Sequence, residues 1–246
     1  MRAGILIIGS LLWDNGRVRN EWRQSHLDMD HAEKVRTPIR YGRRSCSRGC
    51  TFTMTFAIDD QLGHGVLVPC RTPLLNADAL FAEAEALWKA EQPRAAPGTI
   101  AASWGCVGVR FRAQAAPDKW TRAWAKYFSD RNTSPISPVG NDGLLRIPWP
   151  VKVCDGEEAD LDLILATATE ADKQRPHPKD IADAWSNQDA GNEHYFFENI
   201  RNGIRTSEDQ LIWQHIEKSN APWLSKCISE YANAVAVLRR KERDEN

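Results

Sequence analysis

The sequence has no long apolar run. The longest, from Gly4 to Trp13, is about half of the roughly 20 residues that a membrane-spanning helix needs. It has no excess of either charge, with 32 Lys and Arg against 33 Asp and Glu. That balance excludes a basic nucleic-acid binder and a polyacidic tail protein. Glycine and proline are few, at 15 and 13 of 246 residues, which excludes a low-complexity chain. Cysteine pairs are also lacking. Of Cys46, Cys50, Cys70, Cys106, Cys154 and Cys227, only the first two are close. Such a spread reads as the reduced thiols of a cytoplasmic protein, not as a disulfide framework. Arg2 ahead of the apolar run imitates a signal peptide, but Trp13-Asp14-Asn15-Gly16 supplies no small-residue cleavage site.

Several reactive signatures are missing too. No phosphate loop, dinucleotide fingerprint or G-x-S-x-G elbow occurs, and Gly9-Ser10-Leu11 lacks the second glycine of such an elbow. His26 and His31 are five apart, not the four of a helical metal pair. Cys46, Cys50 and His64 near a turn are the remaining metal candidates. The expectation is no metal and no cofactor.

What is present is an alternation of strand and helix patterns. Ile5-Leu6-Ile7-Ile8 reads as a strand buried on both faces, ended by Gly9-Ser10. Asn15 to Ala32 is polar, anchored by Trp13 and Trp22. Pro38 to Arg43 reads as a strand. Thr51 to Ile58 alternates, with Phe52, Met54, Phe56 and Ile58 on one side, the period of a half-buried strand. A turn at residues 59–63 and the strand Gly65 to Pro69 then predict a hairpin. Asn76 caps a helix that ends by Pro93. Thr99 to Phe111 reads as strand, kinked at Gly105 and Gly108. Lys119 to Phe128 reads as a helix with Trp120, Trp124 and Phe128 facing the core. Ile147 to Val153 and Leu161 to Thr167 read as strands. From Pro178 the pattern is helical, with Thr206 and Ser207 offering caps and Ser207 with Gln210 fitting a capping box. The fold class is α+β. Residues 1–130 form the core, and residues 131–246 add strands and a helical region packed on it as one unit.

Two positions carry chemistry. A strand that stops at Gly-Ser either turns plainly into a loop or leaves amide groups facing a ligand. On a helical wheel with Leu80 at zero, Ala84 falls at about 40°, Leu87 at about 340° and Glu91 at about 20°. Glu83, at about 300°, lies at the edge of that apolar stripe. Glu91 therefore either points into the core or a pocket, where burial raises a carboxyl pKa toward neutrality, or sits wet at a frayed helix end.

The run Ile8-Gly9-Ser10-Leu11-Leu12-Trp13, followed by strands, the Gly65-Val66-Leu67 strand, a helix and Glu91, resembles the γ-glutamylcyclotransferase superfamily, above all its ChaC-like branch. Pro38-Ile39-Arg40-Tyr41-Gly42-Arg43-Arg44-Ser45 is similar to that family's basic-aromatic second strand. The resemblance covers roughly the first 110 residues. The chain departs from it at Ile8, where the family has tyrosine, and at Gln92-Pro93, where the family has a Gly-Tyr-like continuation.

The resemblance implies a mixed β-barrel with surrounding helices and a helical C-terminal extension. It implies cyclisation of a γ-glutamyl group to 5-oxoproline, with release of an amine or amino acid. Glu91 would be the acid/base. Gly9, Ser10, Leu11 and Leu12 would cradle the substrate, and Arg40, Arg43 or Arg44 would bind its carboxylate, Arg40 first among them. The implied partner is a small γ-glutamyl molecule such as glutathione, with no nucleic acid and no membrane. The alternative is a non-catalytic module of the same fold that binds a small molecule or a protein. Trp120, Trp124, Trp149, Trp185, Trp213 and Trp223 would then serve a partner surface, or else pack in the core.

Overall fold

The computed structural model describes residues 1–45, 49–58, 61–113, 118–131, 136–187 and 192–240. Nine strands are named among them. They are β1 (Ala3–Ile7), β2 (Glu33–Thr37), β3 (Ile39–Ser45), β4 (Thr51–Phe56), β5 (Gly63–Pro69), β6 (Ala101–Ala102), β7 (Gly105–Phe111), β8 (Val151–Lys152) and β9 (Leu163–Thr169). The helices are α1 (Arg17–His26), α2 (Ala77–Glu91), α3 (Asp118–Asp130), α4 (Pro178–Ser186), α5 (His194–Arg201), α6 (Asp209–Lys218), α7 (Leu224–Glu230) and α8 (Ala232–Arg239). No helix among the described residues is long and apolar enough to cross a membrane.

Seven strands form one mixed sheet in the order β6-β7-β9-β1-β5-β2-β8, while β3 and β4 form a separate ribbon. Every residue of β1 is buried, as its unbroken apolar run requires in the middle of a covered sheet. It runs parallel to β9 and antiparallel to β5. The expected barrel is not closed. The sheet ends in β6 and β8, each two residues long, and β3 leaves it to pair with β4 alone. Edge strands that short cannot zip a sheet shut.

The expected hairpin from Thr51 to Pro69 is also corrected, since β4 pairs with β3 and β5 pairs with β1 and β2. Nor is β4 half-buried, for all six of its residues are buried. Its threonine side meets the large sheet, where the Thr55 hydroxyl donates to the Thr169 carbonyl at 2.8 Å. Its apolar side lies under the C-terminal helices. There Tyr41, opposite Met54 on β3, packs edge-on to Trp185 at 5.0 Å, and Trp185 packs on Phe196 at 5.2 Å. Aromatic pairs of this kind add about 0.5–1.5 kcal/mol each beyond area burial. Ile58, past the end of the strand, is 49% exposed.

Trp120, Trp124, Trp185, Trp213 and Trp223 are buried and Trp149 packs against the core, so these rings are spent on the interior rather than on a partner surface. The capping box expected at Ser207 is replaced by the pair one step earlier. The Thr206 amide and hydroxyl both donate to the buried Asp209 carboxylate, at 3.0 and 2.5 Å. Two elements were not foreseen. One is α1, in the polar stretch after Trp13, and the other is β2, whose mixed Glu33-Lys34-Val35-Arg36-Thr37 buries only Val35 and Thr37.

Candidate active site

A cleft of about 410 Å³ opens where the end of β1, the end of α2, β9 and the β3–β4 ribbon converge. Gly9, Ser10, Leu11 and Glu91 all line it. They reach it by different routes. The apolar strand β1 ends at Ile7, and the chain then turns, with the Leu12 amide donating to the Gly9 carbonyl and the Trp13 and Asp14 amides to the Ser10 carbonyl. The Gly9 and Leu11 amides donate no backbone hydrogen bond among the described residues. The Asn76 side chain accepts from the Ala79 amide and starts α2, whose last residue is Glu91.

Helix α1 holds the loop in place. Arg19 donates to the Ser10 hydroxyl at 3.2 Å, the Asp14 carboxylate at 2.5 Å and the Ala90 carbonyl at 3.2 Å. One guanidinium thus ties the Gly-Ser turn to the last turn of α2. Arg23, four residues on, is 6% exposed and donates to the Leu11 carbonyl at 2.6 Å and the Asp14 carbonyl at 2.9 Å. Burial lowers its pKa and the nearby Asp14 opposes that shift. Arginine remains cationic even so.

The same helix meets α2 a second time. His26 Nδ1 lies 2.9 Å from the Glu83 carboxylate. That hydrogen bond raises the His26 pKa, against a smaller opposing effect of burial. Glu83 is therefore not at the edge of the α2 stripe. It is 8% exposed, with the half-exposed His26 as the partner of its carboxylate.

The ribbon supplies the opposite wall through Arg43, Arg44, Ser45, Thr53 and Met54. A bulge between Tyr41 and Arg43 leaves Gly42 unpaired, which brings Arg43 onto the Thr53 side of the ribbon. The Arg43 guanidinium lies 4.6 Å from the ring centroid of Trp104, itself stacked on Trp88 at 5.2 Å. Arg40 pairs with Thr55 further along the ribbon and does not line the cleft. Leu12 does not line it either. It borders a different depression, with Trp13 and His194. Cys46 lies outside the described residues. Among those residues no group of three His, Cys, Asp or Glu is placed to hold a metal.

Three residues that line the cleft, and Arg23, which holds its loop, carried little signal in the sequence. Arg19 and Arg23 were legible only as an i, i+4 pair in a polar stretch. Thr167 sits in a strand that reads simply as buried. Tyr195 comes from α5, at the far end of the chain, yet its hydroxyl accepts from the Met54 amide at 3.2 Å. A Cβ on Gly9 would stand 2.8 Å from that hydroxyl. The C-terminal helices therefore form part of the wall.

The charges are unequal. Two guanidiniums, of Arg19 and Arg43, and one carboxylate, of Glu91, line a space that also presents Ser10, Ser45, Thr53, Thr167, Thr169 and Tyr195, while the Arg44 guanidinium turns to the other face of the ribbon, over the Phe52 ring at 4.4 Å. Such a lining suits a small polar anion with one group to be deprotonated. No protein-family model, curated protein or solved structure matches this chain.

Proposed function

We propose that the protein is a γ-glutamylcyclotransferase-like enzyme that converts a γ-glutamyl amine, amino acid or peptide to 5-oxoproline and the released amine. The observation that carries this reading is the meeting of Glu91 with Gly9, Ser10 and Leu11 in one cationic cleft. The substrate's α-amine attacks its own γ-carbonyl carbon. A C–N bond forms, and the carbonyl oxygen takes the negative charge. Glu91 accepts the proton that the amine loses and delivers it to the departing nitrogen as the original amide C–N bond breaks. Holding both ends of one molecule together supplies most of the acceleration, so the reaction requires no cofactor.

The Gly9 and Leu11 amides are the donors for the developing oxyanion. Arg43 is the counterion for the substrate's carboxylate. The reading places this chemistry in the cytoplasm, on soluble γ-glutamyl compounds.

The test is 5-oxoproline release from a panel of γ-glutamyl compounds, with wild type beside Glu91→Gln. Release by wild type, reduced at least about 100-fold in the variant, supports the reading and names the leaving group. Binding of a γ-glutamyl compound without any release would replace it with a binding module. Equal release by both proteins would mean that another group moves the proton.

A further inference from the structure

Strand β9 is one wall of the cleft, with Thr167 and Thr169 both in its lining. The two side chains, two residues apart, point to the same face. That face meets the ribbon, since the Thr169 hydroxyl donates to the Met54 carbonyl at 3.2 Å. Thr167 is 8% exposed, and its hydroxyl is buried with no hydrogen-bond partner. Among the described residues that line the cleft, it is the only one with a buried side-chain polar atom in that condition. Its neighbour across the sheet is Val107, which offers no side-chain acceptor.

An orphaned buried hydroxyl costs about 1–3 kcal/mol. Valine has nearly the same shape and would avoid that cost. At a cleft wall the missing partner belongs to whatever fills the cleft.

We propose that Thr167 is a substrate-binding residue whose hydroxyl donates a hydrogen bond to an oxygen of the bound γ-glutamyl group. The assignment rests on the cyclotransferase reading above. It makes β9, a strand of the chain's second half, a direct reader of substrate. The chain needs both halves to recognise its ligand.

The experiment measures kcat and KM for 5-oxoproline release by wild type, Thr167→Val and Thr167→Ser, with thermal unfolding of each. Thr167→Val should keep or raise the wild-type Tm, because it removes an unpartnered hydroxyl. Its kcat/KM should fall by about tenfold or more, the loss of one hydrogen bond. Thr167→Ser should retain most of the wild-type kcat/KM. Wild-type kinetics in Thr167→Val would overturn the assignment while leaving the cyclotransferase reading intact. A loss of kcat/KM accompanied by a lowered Tm in both variants would also overturn it, in favour of a packing role. Absence of release by wild type would overturn the cyclotransferase reading, and this assignment with it.

Discussion

Gly9→Ala tests whether α5 packs against the Gly-Ser turn. The added Cβ would meet the Tyr195 hydroxyl at 2.8 Å and the ring carbon that bears it at 3.7 Å. The first distance is a clash and the second an ordinary contact. Tyr195 cannot simply swing aside. It is 4% exposed, its hydroxyl accepts from the Met54 amide, and its ring sits edge-on to Trp13 at 5.8 Å and Tyr41 at 6.4 Å. Overpacking of this kind costs about 1–3 kcal/mol.

Tyr195→Phe alone leaves the Met54 amide without its acceptor, at about 1–3 kcal/mol. In the phenylalanine background the clashing atom is gone, so Gly9→Ala should cost close to nothing. The two substitutions should therefore be strongly non-additive, with a coupling of about 1–3 kcal/mol. For a chain of this size that is a Tm discrepancy of about 2–4 °C per kcal/mol. The four proteins of the cycle, compared by thermal and urea unfolding, decide it. Additive shifts would refute the contact and, with it, the part of α5 in the cleft wall.

Other outcomes follow from the same geometry. Arg23→Met should lower stability by about 2–3 kcal/mol in urea unfolding, because two loop carbonyls lose a charged donor. It should also raise KM for the proposed substrate, since Leu11 and Asp14 lose their anchor. Burial raises the Asp209 carboxyl from 3.8 to about 6, against the opposing hydrogen bonds from Thr206. A carboxyl whose folded pKa is raised favours folding below its unfolded value and loses that contribution as pH rises through the folded one. Stability should accordingly fall by up to about 3 kcal/mol between about pH 4 and pH 7. The side-chain carboxyl carbon of Asp209 should titrate near 6 by NMR, and Asp209→Asn should flatten the decline.

Some of this was legible from residue order. The apolar run of β1 could only be a buried strand, and Asn76 with Pro93 bounded α2 closely, since a cap and a proline act on the local backbone. The helical wheel aimed Glu91 at a cleft, because the 3.6-residue period fixes which side chains share a face. The same wheel misjudged Glu83, because a wheel does not contain His26.

The sequence by itself determined most of the strands and helices, α1 and β2 excepted, and singled out two short segments that could carry chemistry. Tertiary structure alone decided which strands are neighbours. β4 joined β3 rather than β5, and β9 lay between β1 and β7 although β1 (Ala3–Ile7) and β9 (Leu163–Thr169) are separated by most of the chain. Pairing between distant strands is chosen by the packing of whole faces, which no local period encodes. Tertiary structure also chose Arg43 over Arg40 and Arg44, through one bulge at Gly42. And it brought Tyr195 and Thr167 to the cleft, because contacts between residues far apart in the chain exist only once the chain has folded.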